Sequence, residues 1–460
     1  VGRPFIYDGA AYLSLHKVGR YGYGGFARSE GVLIKSDNIL TEPDPDKIRF
    51  ETLPEGEVGL RAPAGGGPVA EEQSYTVLSD GSFFVVYRTI DGHPAFAYSR
   101  DRGRTWSAPR YLRYDDGRLV KHPRAANFIW RLQNGKYLYW YHNHGGRGYE
   151  DRNPVWLCGG IEGDSPDGRI IRLSQPEIVL YDDDPFIRMS YPDLIEDGGN
   201  VYLSETQKDI ARIHEIDPTL LEGLWNQFDA KEVATEGLLL ELPGRAESSG
   251  SESPVSESPR SESPSSADSH GGAGKGAPSG AAGMPKEVPA PSLPRFVAPD
   301  YTYVDHRGKD LRAGFSVDFW LRLNDLADGQ VIADNRTESG QGFCIRTTAK
   351  ASVEIIINDG RTENRWEADP YVLTAGERHH VTVIVDGGPK IIMFVVDGKL
   401  CDGGTYRQFG WGRFSPHFRS ANGSPTLRLA PNLRGELEVF RVYGRALRVS
   451  EACGNFRSQR

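Results

Sequence analysis

The feature that most constrains this chain is the turn motif Ser-x-Asp-x-Gly-x-Thr-Trp at residues 99–106. Asp101 can accept hydrogen bonds from backbone N–H groups of its own turn, and Gly103 can take the positive φ that such a turn requires. Trp106 is then expected to pack back between neighbouring sheets. The motif therefore predicts a β-hairpin on the outside of a repeated sheet, with a structural role and no catalytic one.

Internal repetition extends this prediction over the N-terminal half. Tight-turn pairs, each followed by an aromatic or β-branched run, recur at Asp8-Gly9, Asp80-Gly81, Asn134-Gly135 and Gly198-Gly199. Their spacing suits four-stranded antiparallel blades joined by loops of variable length. Polar residues stand seven places after the first glycine of each turn, namely His16, Arg88, His142 and Glu205. We expect this shared position to face the cavity around a propeller axis.

The predicted fold class is all-β: a β-propeller with four to five visible blades, followed by a β-sandwich jelly roll. We assign residues 1–244 to the propeller, 245–295 to a disordered linker and 296–460 to the sandwich. The linker is rich in Ser-Glu-Ser-Pro repeats, glycine and alanine, which cannot bury enough apolar surface to offset the entropy lost on ordering. Because the chain begins at Val1 inside a strand-like segment, we expect a truncated or processed form, secreted or periplasmic if a signal peptide preceded it.

Two resemblances support this division. The hairpin motif is similar to the Asp box, or BNR repeat, on the outer turns of sialidase-like β-propellers. The patterns at 379–388, 391–398 and 440–447 resemble the late strands of a laminin-G or concanavalin A-like jelly roll. Sandwiches of this kind bind glycans or support a catalytic partner, and the fold alone does not choose between these roles.

Composition narrows the classes of partner. With 38% hydrophobic residues and a mean hydropathy of −0.49, the chain has no apolar run long enough to span a membrane. The whole chain has a net charge of −9, and its first 244 residues carry about −10, so no nucleic-acid partner is expected for lack of a basic face. The four cysteines lack metal-type spacing, and no cofactor is identified, although a structural divalent cation is left open. An anionic oligo- or polysaccharide could bind only where arginine and histidine are concentrated locally.

Such a concentration lies between residues 122 and 212, at positions that the repeat places at equivalent points of successive blades. Its members are His122, Arg124, His142, Asn143, His144, Arg188, Tyr191, Glu205 and Gln207, together with Arg88 from the preceding blade. Propeller geometry brings equivalent positions around one axial pocket although they are far apart in sequence.

These residue types fit two enzyme chemistries. A polysaccharide lyase removes the proton next to a uronate carboxylate, so it needs a cation on that carboxylate, a base, and an acid for the leaving oxygen. A sialidase-type glycosidase needs a Tyr–Glu nucleophile pair, an acid and several arginines, and Tyr191 with Glu205 is the pair available here. A non-catalytic glycan-binding protein is the third alternative.

The order of these residues resembles the propeller-fold lyases that cleave next to glucuronate, the ulvan and rhamnosyl-glucuronate lyases. The resemblance implies that His122 and His142 bind the carboxylate or act as base, that Tyr191 is the acid/base, and that Arg188 is the neutralising cation. Residues expected to bind substrate are Arg88, Arg124, Asn143, His144, Glu205 and Gln207. The favoured function is therefore β-elimination at a glucuronate of an acidic glycan.

Overall fold

The computed structural model describes residues 3–18, 28–207, 210–243, 284–298 and 313–460. Within these ranges the chain is nearly all β, with one 3₁₀ turn (Pro45–Lys47) and the helices α1 (Pro218–Asn226) and α2 (Val449–Ser458). None of the described helices is long and apolar enough to cross a membrane. The predicted fold class, a propeller followed by a jelly-roll sandwich, is confirmed.

The N-terminal part consists of four antiparallel sheets, whose strands are numbered along the chain. The first contains β1 (Phe5–Tyr7), β2 (Ala10–Val18), β3 (Ser29–Ser36) and β4 (Glu51–Leu53). The second contains β5 (Glu71–Val77), β6 (Phe83–Arg88), β7 (Ala95–Ser99) and β8 (Arg110–Tyr111). The third contains β9 (Phe128–Arg131), β10 (Tyr137–Tyr141), β11 (Val155–Ser165), β12 (Gly168–Leu173) and β13 (Glu177–Leu180). The fourth contains β14 (Ser190–Asp197), β15 (Asn200–Gln207) and β16 (Ile210–Ile216).

The first strands of the four sheets surround the propeller axis. Residues of β1, β5, β9 and β14 together line one cavity of about 940 Å³. The ring is tied together where the Arg3 side chain donates to the Leu194 carbonyl at 3.1 Å, joining the first sheet to the fourth. Any side chain that projects from the start of these strands therefore lies near the axis.

The hairpin motif has the geometry expected from its side chains. Asp101 accepts hydrogen bonds from the Thr105 backbone N–H (2.8 Å) and hydroxyl (2.6 Å), and Gly103 has φ +91°. Trp106 packs against the apolar clusters of both the first and the second sheet, with its ring 5.7 Å from that of Tyr75. The motif thus fastens two adjacent blades on the outside of the propeller.

The C-terminal part is a sandwich of two antiparallel sheets. One contains β17 (Leu238–Leu242), β19 (Phe315–Leu323), β24 (Arg378–Asp386), β25 (Ile391–Val396), β26 (Lys399–Leu400), β27 (Gly412–Arg413) and β29 (Gly435–Tyr443). The other contains β18 (Glu287–Pro289), β20 (Val331–Asp334), β21 (Gly342–Thr348), β22 (Ser352–Asn358), β23 (Glu363–Glu367) and β28 (Thr426–Leu429). Their inward side chains form one apolar core.

Strand pairing corrects the predicted boundaries. β17 precedes the proposed linker, yet it pairs with β29 at the edge of the sandwich. β18 lies inside the proposed linker, pairs with β28, and is followed by Leu293, which is only 3% exposed. The linker prediction is therefore wrong for residues 284–295, because a few apolar side chains there bury surface that an average over the polar window conceals. Residues 244–283 lie outside the described ranges.

The propeller and the sandwich share a second apolar core. Trp156 and Tyr141 of the third sheet pack in one cluster with Ile391 and Met393 of the sandwich. Consequently β24 and β25 are buried on both faces. β19, predicted to bury one face, is also buried on both, but its second face lies against α2, where the Phe456 ring is 5.7 Å from that of Trp320. The buried Glu177 carboxylate accepts the Val449 and Ser450 N–H groups (3.0 and 2.7 Å) at the start of α2.

Candidate active site

The sequence predicted that one shared position, at the end of the second strand of each sheet, faces the axis. In each sheet the first two strands are antiparallel neighbours, so the end of the second strand lies beside the start of the first. Arg88 at the end of β6 is paired with Glu71 at the start of β5. Ser190 at the start of β14 is paired with Thr206 near the end of β15, one residue from Glu205. The repeat alignment therefore locates one end of the propeller axis. We call this end, marked by Glu71, Arg88, Ser190 and Glu205, the upper rim.

Arg88 is a buried cation held by two carboxylates. Its Nε donates to Glu71 Oε2 at 2.8 Å, and its Nη1 lies 2.9 Å from Glu72 Oε2. Burial opposes its charge, but Glu72 and Glu71 outweigh burial and raise the pKa of the Arg88 guanidinium. Arg124 joins the same group, with Nη2 3.6 Å from Glu71 Oε1, and its guanidinium lies 5.0 Å from the centre of the Tyr149 ring.

Tyr191 occupies a strained backbone position at the axis. It has φ +47° and lies in an irregularity of β14 between Ser190 and Asp193. Glu72 occupies the corresponding irregularity of β5, with φ +54°. Left-handed backbone is costly for a tyrosine, and such strain clusters at functional sites. The Tyr191 side chain is 48% exposed and lines the axial cavity.

Arg152, which the sequence analysis missed, lies next to Tyr191. It is 5% exposed, its Nη1 donates to Ser190 Oγ at 2.8 Å, and its buried Nε has no hydrogen-bond partner among the described residues. No carboxylate of the described ranges forms an ion pair with it. Burial lowers the pKa of the Arg152 guanidinium, while the nearby Tyr191 hydroxyl and Glu72 act in the opposite direction.

Two predicted histidines are buried together. The rings of His122 and His142 stack at 6.0 Å with an interplanar angle of 9°, and each residue is 1% exposed. His122 Nε2 lies 2.7 Å from the Ala125 carbonyl, and its Nδ1 accepts the His142 N–H at 3.2 Å. Burial lowers the pKa of His122 to about 3 and that of His142 well below its ordinary value. Both are neutral at pH 7, and both nitrogens of His122 are engaged.

The next two predicted residues contact the sandwich, His144 through its side chain and Asn143 through its backbone. The His144 ring stacks on Phe409 at 4.9 Å, and its Nδ1 lies 3.2 Å from Gln408 Nε2. Burial lowers the pKa of His144 to about 4. The Asn143 backbone carbonyl accepts the Trp411 indole N–H at 2.9 Å, while both polar atoms of its buried side chain have no hydrogen-bond partner among the described residues. These contacts fasten the two parts of the chain together.

The remaining predicted residues lie around the fourth sheet. Arg188 forms an ion pair with the exposed Glu150. Glu205 Oε1 accepts Arg212 Nε at 2.5 Å, and its other oxygen is buried without a hydrogen-bond partner among the described residues. Gln207, at the end of β15, is partly buried, and its Oε1 likewise has no hydrogen-bond partner in the described part of the chain.

The structure thus brings Tyr191, Arg88 and Arg152 together at the upper rim, with Arg124 joined through Glu71. Of the residues named for the site, only Tyr191 lines the axial cavity; Arg88, Arg124, Arg152, His122, His142 and Arg188 do not. Arg152 could have been found from its place in the third sheet. It lies just before β11, and β11 begins at the end of the sheet where β10 ends. In the described ranges, no group of three or more His, Cys, Asp or Glu side chains could hold a metal ion.

Comparisons with known proteins give a family match for the C-terminal part of the chain. Residues 299–453 match a family model described as the concanavalin A-like lectin/glucanases superfamily. No curated protein matches the chain. Among solved structures, it is similar to the intramolecular trans-sialidase from Ruminococcus gnavus in complex with oseltamivir carboxylate (17% identity, TM-score 0.32, 46% of this chain and 41% of that chain).

Two further similarities concern the leech and a trypanosome. The leech intramolecular trans-sialidase complexed with 2,7-anhydro-Neu5Ac shows 15% identity and a TM-score of 0.33, over 46% of this chain and 30% of that chain. Trypanosoma rangeli sialidase in complex with sialic acid shows 11% identity and a TM-score of 0.27, over 99% of this chain and 83% of that chain. The chain spans less than half the length of the first two proteins, and none of these similarities assigns a substrate.

Proposed function

We propose that this protein acts on glycans that carry a sugar carboxylate, and that Arg152 binds this carboxylate beside Tyr191. The observation that carries the proposal is a guanidinium that is 5% exposed and has no ion pair among the described residues. Glu72 acts on the Arg152 charge only from beyond ion-pair distance, and burying a cation without an ion pair costs several kcal/mol. A ligand carboxylate would supply the counter-charge, and the planar guanidinium suits it through two parallel hydrogen bonds.

The surroundings of Tyr191 favour β-elimination. In this reaction a base takes the proton next to the carboxylate, the C–H electron pair forms a C=C bond, the C–O bond to the leaving sugar breaks, and the same group returns the proton to the leaving oxygen. Negative charge grows on the carboxylate in the transition state, where Arg152 would stabilise it. Tyr191 is the proposed acid/base. His122 is proposed to position neighbouring groups, because its ring nitrogens are both engaged.

One observation favours sialidase-type hydrolysis as a second candidate. Glu205 lies opposite the irregularity of β14 that contains Tyr191, and it has an oxygen without a hydrogen-bond partner in the described part of the chain. A carboxylate next to a tyrosine can take its proton and make it a nucleophile. A protein that binds acidic glycans without cleaving them is the third candidate.

One assay separates the three. The full chain is incubated with polysaccharides rich in glucuronate and, separately, with sialylated oligosaccharides. β-Elimination creates a double bond conjugated to the carboxylate, so ultraviolet absorbance rises with the number of new chain ends. Hydrolysis gives reducing ends or free sialic acid without absorbance, and a binding protein gives neither product.

Tyr191→Phe removes one hydroxyl and keeps the ring, so we expect an enzyme to lose about 10²–10⁴-fold in rate. Tyr202→Phe is the matched control, because the Tyr202 hydroxyl on the neighbouring strand contacts the Asn200 side-chain nitrogen at 3.4 Å. Full activity of Tyr191→Phe on every substrate that the parent cleaves would refute the assignment.

A further inference from the structure

A cleft of about 640 Å³ lies between the propeller and the sandwich, apart from the axial cavity. The propeller contributes Arg113, Arg118, Lys121 and Arg147 to its walls, and the sandwich contributes Tyr406 and Arg407 from the segment 402–408. We propose that this cleft is a second binding site for a polyanionic sugar chain. The class of glycan in this proposal rests on the proposed function. The glycan would then be held at two places.

The cleft has more positive than negative side chains. Its two carboxylates are already engaged: Asp402 lies 3.5 Å from Arg118, and Asp91 accepts the Tyr111 hydroxyl at 2.9 Å. Three lining cations have no ion pair among the described residues, namely Arg113, Lys121 and Arg147. In a chain of net charge −9, such a local excess of cations marks a surface that attracts anions.

Aromatic rings stand at the mouth of the cleft. Tyr406 is 61% exposed, and its ring centre lies 5.6 Å from that of Tyr371, which is 65% exposed. Tyr371 also has φ +62°, a left-handed conformation that is unfavourable for a bulky residue. Large exposed apolar groups next to charged ones are typical of ligand-binding surfaces. The tyrosine faces could contact the C–H groups of a sugar ring while the cations bind its carboxylates.

The sandwich side of the cleft is fixed before any ligand arrives. The buried Asp369 carboxylate accepts the Asp402 and Gly403 N–H groups (3.0 and 2.8 Å) and an Arg407 N–H at 3.1 Å. Across the cleft, Lys121 Nζ donates to the Arg407 carbonyl at 2.7 Å. A preorganised wall loses little conformational entropy on binding, which favours affinity.

One loop connects the cleft with the upper rim. Within the segment 145–151, Arg147 lines the cleft, Tyr149 contacts Arg124 of the rim, and Glu150 forms an ion pair with Arg188. Lys121 and Arg124 likewise belong to the cleft and the rim, three residues apart in sequence. A glycan bound at both places therefore has to be a polymer, whereas a short sugar would occupy one place only.

The test measures binding separately from turnover. In the full chain carrying Tyr191→Phe, affinity for a glucuronate-rich polysaccharide is measured by calorimetric titration at two salt concentrations. Adding Arg113→Gln with Arg147→Gln, or adding Tyr406→Ala, should weaken polymer binding about tenfold or more. The double arginine variant should also bind with a weaker salt dependence. Matched controls are Arg361→Gln and Phe186→Ala, two exposed residues outside the cleft.

The outcomes distinguish this inference from the proposed function. The second site is overturned if the cleft variants bind the polymer as tightly as the parent does. It is also overturned if a neutral polysaccharide of similar length binds with equal affinity. Both conclusions hold even if the parent chain is an active enzyme. Loss of polymer binding in the cleft variants supports the site even if no product forms from any substrate, in which case the proposed catalysis fails alone.

Discussion

Replacing Arg152 by methionine should abolish function without weakening the fold. The change removes the Arg152 hydrogen bond to Ser190 and its contact with the Tyr191 hydroxyl, which together cost about 1–2 kcal/mol. It also removes a buried cation that lacks an ion pair in the described ranges, whose desolvation penalty is several kcal/mol. The free energy of unfolding should therefore stay unchanged or rise by about 2 kcal/mol, while affinity for the acidic glycan falls about 100-fold because two charge-assisted hydrogen bonds are lost.

Arg88→Met is the matched control on the same rim. Arg88 is equally buried, but it neutralises Glu71 and Glu72, so its loss leaves Glu72 without an ion pair among the described residues and Glu71 with only Arg124 at 3.6 Å. Breaking a buried ion pair typically costs about 3–5 kcal/mol. Urea denaturation followed by tryptophan fluorescence measures both variants, and calorimetric titration with the glycan measures affinity.

A loss of about 3 kcal/mol or more in Arg152→Met would show that Arg152 is a structural cation, and the reasoning from its missing counter-charge would be refuted. Unchanged glycan affinity in a folded Arg152→Met protein would refute it as well. If Arg88→Met were as stable as the parent, the contrast between a paired and an unpaired buried arginine would have no basis.

Three further results are expected. Asp101→Ala should lower the free energy of unfolding by about 1–2 kcal/mol, because backbone and hydroxyl donors of its turn lose their acceptor, and turnover by the folded fraction should stay the same. Burial lowers the pKa of His122 to about 3, so the unfolded state takes up the proton first as the pH falls. The contribution of His122 to the free energy of unfolding should therefore be complete above pH 6.5 and be lost as the pH falls towards 3, by up to about 1.4 kcal/mol per pH unit. His122→Asn should flatten this dependence in pH-dependent urea denaturation. Cleavage at a protease site engineered near residue 260 should leave two fragments that co-elute in gel filtration, because Trp156 packs in one cluster with Met393 across the two parts; separation of the fragments would show that this shared core does not hold them.

Local sequence signals were sufficient for the blades. Turn chemistry depends on neighbours within a few residues, so the aspartate and glycine at positions 101 and 103 predicted their own geometry correctly. The alternation of strands and the recurring turns likewise depend on short-range patterns, and they led to the all-β prediction. Equivalent positions such as Arg88 and Glu205 could be placed at one rim because antiparallel pairing is itself regular.

Only the tertiary structure decided which polar residues meet. His122 and Arg152 are thirty residues apart. No local pattern shows that both ring nitrogens of His122 are engaged, or that Arg152 is buried without an ion pair in the described ranges. Likewise, β17 and β18 flank a polar segment, yet both complete the sandwich. Burial and charge pairing depend on contacts between distant segments, and the free energy of a buried cation is set by those contacts. The sequence by itself therefore determined the repeat and its rim, and the packing of blades against the sandwich determined the chemistry available there.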